Sequence, residues 1–256
     1  MSKVFIGVGH GGKDPGAVSY LIEEDVNLTM ALACRDELEA NGVLVKMSRT
    51  KDEDDDINEE IRECNAFDPD LAVDVHNNAG RGDGFEVLHS IKDGVDKILA
   101  KNIEAEVKKI GQNSRGLKTR KNKNGADYYG FIRSIKCPSV ILEGVFVDNA
   151  TDVKIADTIA EQQEFGKAYA RGILKTLEDL KIPTEPTKKD ESFKVKVSIT
   201  NLNIRTGAGT NYSTKGAINP GVYTIVDVKS GKGSVKGWGK LKSGVGWISL
   251  DYAKNV

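Results

Sequence analysis

A ten-residue segment without a single apolar side chain divides this sequence into two parts with different patterns. Residues 183–192 read PTEPTKKDES, with two prolines and five charged side chains. Such a segment has no apolar surface to bury, so it is expected to connect two folded regions rather than to join a core. The sequence therefore predicts a first domain over residues 1–182, a linker over residues 183–192 and a small second domain over residues 193–256.

The first part alternates between two hydrophobic periods. Helical spacing recurs in several places, for example in the apolar stripe that runs from Val95 to Ile110. Alternating strands and helices are typical of an α/β domain, so we expect a sheet with helices on both faces. Strands are expected at residues 4–9, 43–48, 71–76, 85–90 and 140–142, and helices at residues 25–40, 57–66, 95–110 and around residues 165–177.

The second part consists of short β-branched runs separated by Gly, Asn and Pro. This texture predicts a small all-β barrel. From Glu191 to the end there are ten lysine or arginine residues against three acidic ones, which gives a net charge of +7. The preceding residues carry a net charge of −8, so the two parts differ in electrostatic character.

The composition excludes several classes of protein. Hydrophobic residues make up 39% and charged residues 29% of the 256 residues, which is unlike a disordered or collagen-like chain. The 37 basic and 38 acidic side chains nearly cancel, which argues against a dedicated nucleic-acid-binding protein. Cys34, Cys64 and Cys137 are widely spaced and odd in number, so we expect free thiols rather than a disulfide framework.

No segment is typical of export or of membrane insertion. The apolar run near the start, VFIGVG at residues 4–9, is much shorter than the hydrophobic region of a signal peptide, and no later run approaches the length of a membrane span. We therefore expect a protein that is made in the cytoplasm and that is not inserted in a membrane.

Two histidines lie at the carboxyl ends of predicted strands. In an α/β sheet, binding and catalytic sites usually lie at this edge. His10 precedes two glycines, and His76 precedes the small polar residues NNAG. A carboxylate, Glu23 or Glu24, lies just before the first predicted helix. Two histidines and one carboxylate with an open fourth position form a catalytic zinc set. Histidines at strand ends are as often structural or ordinary hydrogen-bonding groups, so the spacing alone favours a structural role over a metal site.

Glu143 follows the apolar triplet 140–142 and precedes Gly144, so it is expected to end a strand at the same sheet edge as both histidines. A glutamate beside activated water can act as a general base, although capping or salt bridging is a common role at such a position. His89 also ends a predicted strand, but no glycine-opened loop follows it, and we interpret it as structural.

Taken in order, these segments resemble a known family of zinc enzymes. The motifs are GHGGKDPGA at 9–17, EEDVNL at 23–28, SRT at 48–50, DVHNNA at 74–79, RGLKTR at 115–120 and ILEGVFVDN at 141–149. Together they resemble the zinc-dependent N-acetylmuramoyl-L-alanine amidases of the Amidase_3 family over about the first 180 residues. The resemblance implies that His10, Glu23 and His76 hold Zn²⁺ and that Glu143 is the catalytic base. Glu24 stands beside Glu23 as an alternative ligand, since the family usually has Lys there.

The second part resembles a bacterial SH3-like (SH3b) wall-binding domain. The motif typical of the start of this domain, LNIRTGAGTNYS, lies at 202–213. The two shorter motifs of the domain follow as GWGKL at 237–241 and GWI at 246–248. Trp238 and Trp247 are interpreted as core residues of the small barrel. The +7 charge fits a surface that is held against an anionic wall polymer by Coulomb attraction.

These resemblances imply hydrolysis of the amide between N-acetylmuramic acid and L-alanine in bacterial peptidoglycan. The domain pair resembles a phage endolysin, which would wait in the cytoplasm and reach the cell wall through a membrane pore. A sporulation or mother-cell autolysin has the same chemistry and is an alternative. A zinc carboxypeptidase on wall peptides and a non-catalytic wall-binding protein are alternatives from other classes.

Overall fold

The computed structural model describes residues 1–184 and 192–256. The chain divides into two compact units, Met1–Pro186 and Thr187–Val256. Most of the predicted linker, residues 185–191, lies outside the described residues. At its start, the carbonyl oxygen of Pro183 accepts a hydrogen bond from the amide of Ser2, so this proline lies against the first unit.

The first unit is a mixed α/β structure, as the alternating pattern predicts. Its central sheet has the strand order β2-β1-β3-β6-β4-β5, and its pairs are parallel except for β4 with β6. The strands are β1 (Lys3–Val8), β2 (Leu44–Met47), β3 (Leu71–Asn78), β4 (Phe85–Leu88), β5 (Ser114–Lys118) and β6 (Ser139–Phe146). The helices are α1 (Glu23–Ala40), α2 (Ile57–Phe67), α3 (Val95–Lys109), α4 (Gly130–Ser134) and α5 (Ile159–Asp179).

Helices cover both faces of this sheet, because alternate residues of each strand point to opposite sides. On one face, Val73 and Leu142 pack in a fully buried core with α1, α3 and α5. On the other face, Phe5 and Ile141 pack with α2 and α4, around Cys64 and other buried residues. The second cluster covers only part of its face, and polar side chains occupy the rest.

Two elements escaped the sequence analysis, and two boundaries were wrong in ways that matter for the site. The short strand β5 and the single-turn helix α4 lie in a basic, glycine-containing stretch without a clear hydrophobic period. The strand expected at 140–142 extends to Phe146, so Glu143 lies inside it rather than at its end. Likewise, α1 begins at Glu23, two residues before the expected start.

Gly144 explains why the strand was expected to stop too early. A Cβ atom at this position would lie 2.6 Å from Oδ1 of Asn77 and 2.9 Å from the hydroxyl oxygen of Tyr169. The glycine therefore permits close packing inside β6 instead of ending the strand.

The second unit contains an antiparallel sheet with the strand order β13-β7-β10-β11-β12-β8-β9. Its core is formed by aliphatic side chains such as Val197, Ile225 and Ile248. Trp238 and Trp247 are buried, as interpreted from the sequence, whereas Tyr212 is exposed. The strands are β7 (Phe193–Val197), β8 (Leu202–Arg205), β9 (Thr214–Ile218), β10 (Gly221–Lys229), β11 (Trp238–Leu241), β12 (Trp247–Ser249) and β13 (Ala253–Asn255).

Two smaller expectations concern cysteines and membrane spans. Cys34, Cys64 and Cys137 are all free, as expected. In residues 1–184 and 192–256, no helix has the length and apolar character needed to cross a membrane.

Candidate metal centre and active site

His10 lies in a loop with left-handed backbone conformation directly after β1. The φ angles of His10, Gly11 and Gly12 are 64°, 129° and 62°. Such angles are strained for side chains other than glycine, so the two glycines make the turn feasible. A Cβ atom at Gly12 would also lie 2.2 Å from Oδ1 of Asp54. The turn directs the His10 imidazole toward the start of α1.

Buried polar side chains hold this loop in place. Arg49, which is 2% exposed, donates from Nε to the carbonyl of Val8 (3.1 Å) and from Nη2 to the carbonyl of Gly9 (3.3 Å). Asn27 donates from Nδ2 to the same Gly9 carbonyl (2.9 Å). Because burial of unpaired polar groups is costly, these contacts fix the backbone that carries His10.

Glu23 stands at the first position of α1 and lies between the two histidines. Its Oε1 is 3.2 Å from Nε2 of His10 and 3.2 Å from Nδ1 of His76. The amide of Ala17 donates to Oε2 (3.0 Å), and the amide of Asn77 donates to Oε1 (3.2 Å). The side chain is buried and fixed, with one oxygen turned toward both rings.

The three side chains form a compact donor cluster. Ligand atoms of His10, Glu23 and His76 all lie within 4.8 Å of one another, and the two rings meet edge to face at 5.1 Å. The second nitrogen of each ring is also held: Nδ1 of His10 lies 2.9 Å from Asp14, and Nε2 of His76 lies 3.3 Å from Asp74. Histidine ligands of metals are usually oriented by such carboxylates.

The electrostatics of this cluster favour positive charge at its centre. Burial alone would raise the pKa of Glu23, yet hydrogen bonds from both histidines and from Ala17 lower it well below its usual value. Burial opposes a charged His76, but the neighbouring carboxylates, Asp74 first, still raise its pKa. Oδ1 of Asp74 has no hydrogen-bond partner among the described residues. Two imidazoles among several carboxylates are a suitable donor set for a zinc ion.

Glu143 lies beside this cluster on the neighbouring strand. It pairs with His76 in the parallel register of β3 and β6, and adjacent strands are about 4.8 Å apart. Its side chain is partly buried, and desolvation raises the pKa of its carboxyl group to about 7, while the charge of His76 acts in the opposite direction. A pKa near neutrality suits a general base.

The structure also places Glu24, which the sequence left open as a ligand, and His89, which the sequence analysis interpreted as structural. The carboxyl group of Glu24 lies near Asp52 and Arg49, outside the donor cluster, and burial raises its pKa. His89 is buried, and its Nδ1 lies 2.8 Å from the carbonyl oxygen of Ser90 and 3.6 Å from Asp96. Within the described part of the chain, neither residue joins the cluster.

Sequence reasoning missed the residues that support the cluster. Asp74 could have been found, since it lies two positions before His76 in a strand and must share its face. Asp14 and Asn77 carry no such signal, because the turn and the bulge that place them depend on tertiary contacts. Asn77 links the elements by donating to Asn27 (2.8 Å) and accepting from the amide of Val145 (2.9 Å).

Comparison with known proteins gives matches to one enzyme family. The Amidase_3 family of N-acetylmuramoyl-L-alanine amidases matches residues 4–175. The chain is 32% identical over 178 residues to the N-acetylmuramoyl-L-alanine amidase CwlM of Bacillus licheniformis, with 68% of each chain covered. It is 30% identical over 209 residues to the sporulation-specific N-acetylmuramoyl-L-alanine amidase of Bacillus subtilis, with 79% of each chain covered.

A phage protein and solved structures are also similar. The endolysin of Bacillus phage SPP1 is 31% identical over 188 residues, which cover 69% of this chain and 67% of the phage protein. Cwp6 from Clostridium difficile superposes with a TM-score of 0.67 at 33% identity, over 69% of this chain and 29% of that one. The catalytic domain of CwlV from Bacillus (Paenibacillus) polymyxa gives a TM-score of 0.62 at 25% identity, over 72% of this chain and 100% of that one.

The family match spans more than half of the chain and includes every residue of the donor cluster and Glu143. The amidase CwlM, the sporulation-specific amidase and the phage endolysin are matched over 68%, 79% and 67% of their own length. The chain therefore belongs to the Amidase_3 family of N-acetylmuramoyl-L-alanine amidases, enzymes that act on bacterial peptidoglycan.

Proposed function

We propose that this amidase is zinc-dependent, that His10, Glu23 and His76 hold the ion, and that the enzyme acts as a phage endolysin. The observation that carries the zinc assignment is the convergence of three donor atoms within 4.8 Å, each fixed by its own hydrogen bonds. When bound, zinc supplies a Lewis acid that polarises the scissile carbonyl and acidifies water.

Glu143 performs the proton transfers of the proposed reaction. Glu143 would accept a proton from the attacking water as the water oxygen adds to the lactyl carbonyl carbon of the amide to L-alanine. When the C–N bond breaks, Glu143 passes this proton to the leaving amine of L-alanine. Its side chain is partly buried, and its strand position holds it beside His76.

The reaction is tested on purified sacculi by identification of the new chain ends. An amidase generates free amino groups of L-alanine and no new reducing sugar ends. A carboxypeptidase on wall peptides would instead release a carboxyl-terminal amino acid, which mass analysis of the soluble products would detect. New reducing ends would indicate glycan cleavage and would contradict the proposed reaction.

The endolysin role is supported by similarity to the phage endolysin, but the sporulation-specific relative is about as similar and keeps the autolysin role as a second candidate. The two roles differ in the wall that is attacked. As an endolysin, the purified protein should clear vegetative cells once their walls are accessible. Activity confined to walls of sporulating cells would favour the autolysin.

The second unit is proposed to be an SH3-like domain that binds the cell wall. Its net charge is +7 from Glu191 onward. Its surface also has a pocket that includes Arg205, Trp238 and Tyr252. Two of these lining residues have buried donors, Nε of Arg205 and Nε1 of Trp238, without a hydrogen-bond partner among the described residues. Unpaired buried donors favour a ligand with acceptor oxygens, as wall polymers have.

Removal of the second unit should affect insoluble and soluble substrates differently. A chain that ends at Thr184 should cleave soluble muramoyl peptides as fast as the whole protein, because all proposed site residues precede this point. On intact walls it should be slower, because tethering raises the local enzyme concentration. Circular dichroism of the shortened chain checks that it is folded before the two rates are compared.

The advantage of the whole protein on walls should shrink with salt if charge contributes, since the Debye length falls from about 10 Å at 0.1 M to about 3 Å at 1 M. An advantage that persists at high salt would favour the pocket as the main binding site. A shortened chain that is equally fast on walls at low salt would contradict the wall-binding role.

A further inference from the structure

The floor of the site extends beyond Glu143 as a line of paired residues across the sheet. His76 pairs with Glu143, Glu143 pairs with Glu86 on β4, and Glu86 pairs with Gly116 on β5. Directly paired residues place their side chains on the same face of a sheet. With about 4.8 Å between strands, Gly116 lies about 10 Å from Glu143. Arg115 precedes Gly116 at an irregular position of this pairing.

Arg115 is held in one orientation at this end of the line. Its Nε donates to Oε1 of Glu86 (2.5 Å), and its guanidinium carbon lies 5.3 Å from the ring centroid of Phe146. Asn78 fixes the second oxygen of Glu86 (3.2 Å). Within the part of the chain that the structure describes, the two terminal nitrogens of Arg115 have no hydrogen-bond partner, and the side chain is 44% exposed. Its donor fork is therefore oriented and available.

Glu86 is an acid, but two cations, Arg115 and Lys118, lie beside it. Nζ of Lys118 lies 4.0 Å from Glu86, so two cations face one carboxylate. On the opposite side of the site, Asp52 and Asp54 accept from the backbone amides of Gly12 and Lys13 in the loop after His10, and Lys13 is itself paired with Asp54. An anionic ligand that enters the site is therefore drawn toward β5 rather than toward the His10 loop.

We propose that Arg115 binds a carboxylate on the stem-peptide residue that follows L-alanine, and that the stem crosses β6 and β4 toward β5. This inference rests on the proposed function, since it needs the scissile amide to lie at the donor cluster and Glu143. Consecutive Cα atoms are 3.8 Å apart, so this carboxylate lies about 7 Å from the scissile carbonyl. The Arg115 side chain spans the distance that remains between this carboxylate and β5. An arginine fork suits a carboxylate, because it can donate two parallel hydrogen bonds.

The test uses two soluble substrates that differ in one group: muramoyl-L-alanyl-D-glutamate, which has this carboxylate, and muramoyl-L-alanyl-D-isoglutamine, in which it is an amide. The wild type should prefer the acid by about tenfold in kcat/KM, the lower end expected for a hydrogen bond to a charged group at a partly exposed site. Arg115→Gln should lose this factor on the acid only, so that the two substrates are cleaved equally.

A matched control is Arg171→Gln. Arg171 is a partly exposed arginine in a comparable salt bridge, with Glu106, but it lies on the face of the sheet opposite to the site. This variant should keep the full preference for the acid. Arg115→Lys keeps the charge and loses the fork, and it should retain a reduced preference. Thermal unfolding of each variant checks that its fold is intact.

Ligand binding gives a second readout that does not depend on turnover. In a Glu143→Gln background, calorimetry should show about tenfold tighter binding of the acid than of the amide, and Arg115→Gln should remove the difference. The inference would be overturned by a wild type that binds and cleaves the acid and the amide equally well, or by an Arg115→Gln variant that still prefers the acid. Failure to cleave either substrate or sacculi would instead contradict the proposed function, and the binding ratio would still decide the role of Arg115.

Discussion

Replacing Glu143 by glutamine should slow the hydrolysis of peptidoglycan by about 10² to 10⁴, the usual contribution of a general base. Glutamine has nearly the same shape as glutamate but cannot accept the proton of the attacking water. The side chain sits on a central strand, between β3 and β4, so its position is fixed by the pairing of both neighbours. The rate on soluble muramoyl peptides measures this loss directly.

The same variant should keep its zinc and its stability, because Glu143 lies outside the donor cluster. Removal of a partly buried carboxylate beside other carboxylates also relieves repulsion, since Asp74, Glu23 and Glu86 all raise the pKa of Glu143. We therefore expect an unchanged or slightly higher melting temperature. Loss of metal from Glu143→Gln would make this residue a ligand rather than the base.

The second large effect is expected at the metal centre itself. The purified protein should contain about one zinc ion per chain, and His10→Ala or His76→Ala should reduce this content nearly to zero. A site that loses one of three protein ligands competes poorly with buffer and chelators for the ion. Metal analysis after dialysis against a chelator measures the content, and activity should fall with it.

Glu23 and Glu24 provide a matched pair of adjacent carboxylates for this experiment. Glu23→Gln should release zinc, because Oε1 of Glu23 lies 3.2 Å from both histidines. Glu24→Gln should keep it, because Glu24 lies outside the cluster. Zinc retained at full stoichiometry in the His10→Ala, His76→Ala double variant would contradict the site, whatever the two glutamate variants show.

Much of the first unit could be predicted because hydrophobic periods report burial directly. The alternating pattern predicted the mixed α/β structure, and the stripe that begins at Val95 predicted α3 within one residue of its observed end. The four proposed site residues were chosen from strand ends and motif resemblance, and the structure brings them to one place. Their roles remain predictions that the variants above test.

The rest depended on contacts that no local pattern encodes. β5 has only one apolar residue, Leu117, and is held by its pairing with β4. From the sequence, Arg115 is simply an arginine expected at the surface. Its guanidinium group is oriented by the contacts with Glu86 and Phe146, which only the folded structure shows. In the second unit the structure shows an antiparallel sheet, and the SH3-like barrel remains a prediction from the motifs.

The position of Glu143 within β6 ties catalysis to the correct alignment of the chain during folding. Val140 and Leu142 face the core while Ile141 and Glu143 face the other side. A slip of this strand by one residue would turn every side chain over, so that the carboxyl group would enter the apolar core and Leu142 would leave it. Such a form is strongly disfavoured by the burial of an unpaired carboxyl group and the exposure of leucine. The hydrophobic alternation that aligns β6 in the sheet thus also guarantees that a folded molecule carries its proposed base on the reactive face.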